Sequence, residues 1–118
     1  MANDFKRFCV PNVGTSLTTL YGVPAGASSA ALESIVIGIT MANKTSVGVT
    51  ASIFIDNEDG TNDVFIVKDA SIPAGASLEV MAGNKLVLQN DGTNGDNLEA
   101  LCSVANSLDV TVSVLEDV

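Results

Sequence analysis

Leu108-Asp109-Val110-Thr111-Val112-Ser113-Val114 carries an apolar residue at every even position and a polar one at every odd position between them. That is the period of a strand with one face on a core and the other in water. Val47-Gly48-Val49-Thr50-Ala51-Ser52-Ile53-Phe54-Ile55 gives the same signal, with Val47, Val49, Ala51, Ile53 and Ile55 expected inward. Ile35, Ile37, Ile39 and Met41 define the expected inward face of a third strand, opposite Ser34, Gly38 and Thr40. β-Branched residues at this density disfavour a helix, where they lose χ1 freedom, and suit a pleated, half-buried surface.

Working outward, Val23-Pro24-Ala25-Gly26-Ala27-Ser28 returns as Ile72-Pro73-Ala74-Gly75-Ala76-Ser77. One turn design therefore ends a strand twice. The spacing predicts Pro at the second turn position and Gly at the fourth, as a type I turn prefers. Leu17 to Val23 forms the strand before the first copy. Val64-Phe65-Ile66-Val67 leads toward the second and is apolar on both faces, which predicts cover on both sides. Leu78-Glu79-Val80 and Leu86-Val87-Leu88 flank a turn at Ala82-Gly83-Asn84, and an N-terminal strand from Phe5 to Val10 is expected to stop at Pro11. Leu98 to Val104 fits both periods. Leu98, Leu101, Cys102 and Ala105 are spaced as on a helix, while Leu98, Ala100, Cys102 and Val104 alternate. Gly95-Asp96 before it and the strong strand after it favour the strand reading.

Turn signals recur about every ten residues, so the expected fold is all-β, a single antiparallel β-sandwich of about eight strands, jelly-roll or Ig-like. Residues 1–15 are read as an N-terminal segment, edge strand or arm, and 16–118 as the sandwich domain. As an arm, the segment would anchor through Phe5, Phe8 and Val10 and turn Lys6 and Arg7 to an acidic neighbour.

A chain of 118 residues with formal charge −9, from 14 acidic and 5 basic side chains, has no cationic cluster beyond Lys6-Arg7. Nucleic-acid binding needs clustered Lys and Arg to displace counterions, so no nucleic-acid partner is expected. The same charge disfavours anionic membranes, and Ile35-Val36-Ile37-Gly38-Ile39 is too short to span a bilayer. No apolar h-region follows the charged start, so no secretory signal is expected. Cys9 and Cys102 are expected to be free, largely buried thiols, with a bridge formed after release from a cell as the alternative, since a strand near each end would place them side by side.

The chain contains no histidine, which removes imidazole-dependent nucleophile systems and the common zinc sites. No glycine-rich phosphate loop follows a strand and opens a helix. The acidic loops Asp56-Asn57-Glu58-Asp59-Gly60-Thr61-Asn62-Asp63 and Asn90-Asp91-Gly92-Thr93-Asn94-Gly95-Asp96-Asn97 offer oxygen ligands for calcium. Ile55 stands where an EF-hand loop ending its turn at Gly60 would need its first Asp, and solvated hairpin tips are the expectation. No catalytic, cofactor-binding or metal residue is assigned, and the protein is expected not to be an enzyme.

The order of elements carries a resemblance. Leu20-Tyr21-Gly22-Val23-Pro24-Ala25-Gly26 leads to Ser34-Ile35-Val36-Ile37, then Val49-Thr50-Ala51-Ser52-Ile53. Ile72-Pro73-Ala74-Gly75-Ala76-Ser77-Leu78, Leu86-Val87-Leu88, Gly95-Asp96 and Val110-Thr111-Val112-Ser113 follow. From about Leu17 onward this succession resembles small β-sandwich virion structural proteins of tailed bacteriophages. The resemblance implies a virion structural protein, first a capsid decoration (cement) protein binding the shell by surface complementarity. It implies other virion proteins, the major capsid or tail proteins, as partners, a homo-oligomer, and a place in the virion after assembly in the host cytoplasm. The alternatives are a tail, neck or fibre-associated structural protein, a calcium- or carbohydrate-dependent adhesion module, and a host-directed binder that is never packaged.

Overall fold

Leu108, Val110, Val112 and Val114 are all buried, as the alternation requires. The computed structural model describes residues 3–57, 63–80 and 85–117, with Asn3 and Asp117 as backbone alone. Nine strands lie among the described residues: β1 Asn3–Val13, β2 Thr18–Gly22, β3 Leu32–Asn43, β4 Val49–Asp56, β5 Val64–Ile72, β6 Ser77–Glu79, β7 Leu86–Asn90, β8 Asn97–Cys102 and β9 Leu108–Asp117. The one helical element among them is a 3-10 turn at Ala27–Ser29. None is long and apolar enough to cross a membrane.

The strands form two antiparallel sheets, β1-β9-β3-β6 with β7 also on β3, and β2-β8-β4-β5. β6 pairs with Thr40–Ala42 and β7 with Leu32–Val36, so the two share one strand place along β3. The pairs are nested: β1 with β9, β2 with β8, β3 with β6 and β7, β4 with β5. The chain is thus doubled back on itself and then rolled, so that β3 also meets β9 and β4 meets β8. Of the two expected topologies this is the jelly roll. Ile39, Met41, Ile53, Leu98, Val110 and Val112 fill the space between the sheets.

Both copies of the repeated hexapeptide lie where the chain leaves the four-stranded sheet for the five-stranded one. Neither is the type I turn expected. In the second copy the Ala76 N–H donates to Pro73 O at 3.1 Å and Gly75 has φ 70°, which puts Gly third, as in type II. In the first, the Ala30 N–H donates to Ala27 O at 3.2 Å, and Ser28 and Ser29 have φ 58° and 60°. That turn begins three residues after Pro24. What the copies share is a buried asparagine. Asn90 Nδ2 donates to Val23 O at 2.7 Å, and Asn43 Nδ2 donates to Ile72 O at 3.0 Å. Each carbonyl stands directly before a proline at a buried strand end, and the amide gives it a donor there.

Several strands depart from the simple period. β3 shifts register between Val36 and Gly38, with Leu32, Ser34 and Val36 buried before the shift and Ile39, Met41 and Asn43 after it. Ile35 and Ile37 therefore face outward, against expectation, because a bulge moves the alternation by one step. β1 runs through Pro11 to Val13 as an edge strand. Pro11 and Asn12 lie in its bulge, where proline owes the ladder no N–H, and the Asn12 N–H donates to Asp109 Oδ1. β5 is also an edge strand, so Val64 and Phe65 are exposed instead of covered on both sides. Val47 precedes β4 and is exposed, while Val49, Ala51 and Ile53 are buried as expected and Ile55 partly so. Residues 98–102 are strand, and the turn expected at Ala82-Gly83-Asn84 lies outside the described residues.

Candidate functional site

The alternation of β9 continues past Val114 and puts Glu116 on the inward face, 1% exposed. A carboxylate withdrawn from water must be matched by charge and hydrogen bonds. Three other strands supply them. Tyr21 on β2 donates its hydroxyl to Glu116 Oε2 at 2.5 Å, and Ser34 on β3 shares a 2.7 Å bond with the Tyr21 hydroxyl. Lys6 on β1 brings its ammonium 2.9 Å from Oε1, an ion pair off the carboxylate's best hydrogen-bond direction. Phe8 packs on Tyr21 with ring centroids 4.9 Å apart. Contact with Glu116 raises the Lys6 pKa above the ordinary lysine value. Burial, and then the bond to Glu116, pushes Tyr21 far above the ordinary tyrosine value. Both carboxylate oxygens are engaged, and the tyrosine keeps its proton. The cluster binds the two sheets together.

The acidic loops behave similarly where they are described. Asp91 Oδ1 accepts the N–H groups of Thr93 and Asn94 at 2.8 Å each, and these bonds hold its carboxyl below the usual range. Asp96 Oδ2 accepts the Gln89 N–H at 2.9 Å. Gly92 has φ 103°, and a Cβ there would lie 2.2 Å from the Ser29 carbonyl oxygen, so this loop is pressed against the first hexapeptide turn. In the other loop Asp63 accepts the Asn57 N–H at 3.3 Å, and residues 58–62 lie outside the described residues. Among the described residues no group of three or more Cys, Asp or Glu side chains is placed to hold a metal ion. A surface depression of about 350 Å³ is lined by Cys9, Val10, Pro11, Asp109, Val110 and Thr111.

Cys102 is buried as expected, with Sγ 3.4 Å from Val104 O. Cys9 is exposed on β1, on the other sheet, and both thiols are free. Of the three N-terminal anchors considered, Phe8 and Val10 pack on the core of their own chain, while Phe5 is 75% exposed.

Phe5 begins an exposed apolar row on the outer face. Register pairs it with Leu115, Leu115 with Ile35, and Ile35 with Val87, so one row crosses β1, β9, β3 and β7. Directly paired residues share a face, here the outer one. Ile37, 42% exposed, extends the row, and Val87 is 54% exposed. On the other sheet Phe54 and Phe65 pair across β4 and β5 with centroids 5.6 Å apart, and the Lys68 ammonium stands 5.5 Å from the Phe65 ring centroid. Sequence reasoning missed both the Glu116 cluster and the row. For Glu116 the signal was present, since it holds the next even position after Val114.

No family model and no curated protein sequence matches this chain. Viral chains among the solved structures share its fold. A mutant VP2 protein of infectious bursal disease virus, in derived particles, aligns over 97% of this chain and 31% of its own, with TM-score 0.51 and 12% identity. A chain in the structure of the Gx strain of that virus aligns over 98% of this chain and 31% of its own, with TM-score 0.50 and 17% identity. A chain from the pili of Bacillus endospore appendages aligns over 97% of this chain and 86% of its own, with TM-score 0.49 and 10% identity. The protein thus spans about a third of the viral chains it resembles. What it shares with them is an antiparallel β-sandwich.

Proposed function

We propose that the protein is a structural component of a virus particle, a capsid decoration (cement) protein of a tailed bacteriophage. It attaches to the shell by surface complementarity, with major capsid protein as partner, and takes its place in the virion after assembly in the host cytoplasm. The observation that carries this reading is the distribution of side chains: an acidic carboxylate, a tyrosine and a lysine close on one another inside the sandwich, while five apolar side chains lie along one outer face. Exposed apolar patches of this kind mark interaction surfaces. The fold it shares with part of a protein of viral particles supports the reading, as does the strand and turn order quoted above. On this reading the protein has no catalytic residues and needs no cofactor.

Gradient-purified virions of the encoding phage, analysed by mass spectrometry, test the proposal. The protein should be present in many copies and stay with heads when heads and tails are separated. Recovery with tails would make it a tail, neck or fibre component instead. Abundance in infected cells with absence from particles would overturn the reading.

A further inference from the structure

We infer that the outer face of the five-stranded sheet is an interface for a second copy of this chain. The argument starts from register. The row Phe5, Leu115, Ile35, Val87 occupies four adjacent strands at one height. A two-fold axis lying along the strands between β9 and β3 lays β1 of one copy over β7 of the other, and β9 over β3. Phe5 then faces the partner's Val87, and Leu115 faces the partner's Ile35. The same exchange holds in reverse, which is the self-complementarity a closed dimer requires.

Three further observations agree. Ile37, at the bulge in β3, also stands outward on this face and adds an apolar side chain beside the row. From Ile35 to Ala42 on β3 and from Thr111 to Leu115 on β9, the outward positions are Ile35, Ile37, Gly38, Thr40, Ala42, Thr111, Ser113 and Leu115, none of them charged. Charges stand toward its edges: Arg7, Glu33, Glu79, Lys44 and Asp109. Lys44 and Asp109 form an ion pair at 2.9 Å. The chain as a whole carries −9, so two copies repel least where the outward positions are uncharged. Three strands of ten or more residues and a fourth place filled by the shorter β6 and β7, at about 4.8 Å spacing and about 3.3 Å per residue, give a face of roughly 650 Å². Two such faces would bury roughly 1,300 Å², within the range of specific interfaces.

A face covered by a second copy is closed to the shell, so on this inference the sandwich meets the shell through its other surfaces; the dimer is tested on the purified chain. In sedimentation equilibrium the wild type should reach twice 12.1 kDa, with a dissociation constant in the micromolar range. Phe5→Glu and Val87→Glu should each raise that constant tenfold or more, and both positions are exposed enough for the thermal midpoint to hold. Ile37→Lys is the second variant should either lose its fold. Phe65→Glu, on the opposite sheet, should leave the dimer unchanged. A wild type that stays at 12.1 kDa overturns the inference, as does a dimer indifferent to Val87→Glu and Ile37→Lys or one broken by Phe65→Glu.

Discussion

Glu116 carries a carboxylate into a largely apolar core, and the protein meets the cost with Lys6, Tyr21 and Ser34 from three different strands. Their meeting has a consequence in alkali. Unfolded, tyrosine ionises near pH 10 and lysine loses its proton near 10.4. Folded, both hold their protons more tightly. As pH rises the unfolded chain sheds protons first, so this contribution to stability is complete below about pH 10 and is lost above it. The thermal midpoint should stay level from neutral pH to about 10 and then fall, less steeply in Tyr21→Phe. Tyr21 is the single tyrosine of the chain, which makes its phenolate absorbance a clean reporter. The phenolate band should appear together with loss of the β-sheet circular dichroism. A full phenolate signal near pH 10 from a still-folded protein would contradict the cluster. From sequence, Glu116 could be placed inward by parity alone. Its partners could not, because residues 6, 21, 34 and 116 become neighbours only once four strands are assembled.

Among the elements, β9 was the most readable and β3 the most misleading. β9 keeps strict alternation between two partner strands, so its period survives intact. β3 has apolar residues at 35, 36, 37, 39 and 41, and a period-two reading fits several phases of such a run. The bulge decides among them, and Gly38 was its only local sign. Ile39→Ala should therefore cost about 2–5 kcal/mol, while Ile37→Ala should stay within about 0.5 kcal/mol of wild type. Urea unfolding of the two variants makes the comparison, and similar losses at both positions would mean that the phase shift is misplaced. The hexapeptide repeat was read correctly as punctuation and wrongly as one turn type. Its shared element, an asparagine amide on the carbonyl before proline, comes from positions 43 and 90, outside both copies.

At the scale of the molecule, two-sheet architecture followed from composition and periodicity, whereas nesting did not, because which strands pair is decided between residues up to the full chain length apart. The apolar row was hidden for the same reason, with Phe5 and Leu115 at opposite ends of the chain. Nesting also brings Asn3 opposite Asp117. A short glycine linker joining the two ends, with new ends opened in the exposed loop at Thr15-Ser16, should give a permuted protein that keeps its β-sheet circular dichroism and a thermal midpoint within a few degrees of wild type. Collapse of the permutant would show that β1 and β9 are not neighbours at that corner. The same closeness has a mechanical side. A pull applied to the two ends acts across the β1–β9 ladder and opens its hydrogen bonds singly, each worth about 1 kcal/mol, as a zip is opened. Load entering through the broad outer face is shared by four strands at once. Such a domain is strong as a tile and weak as a link.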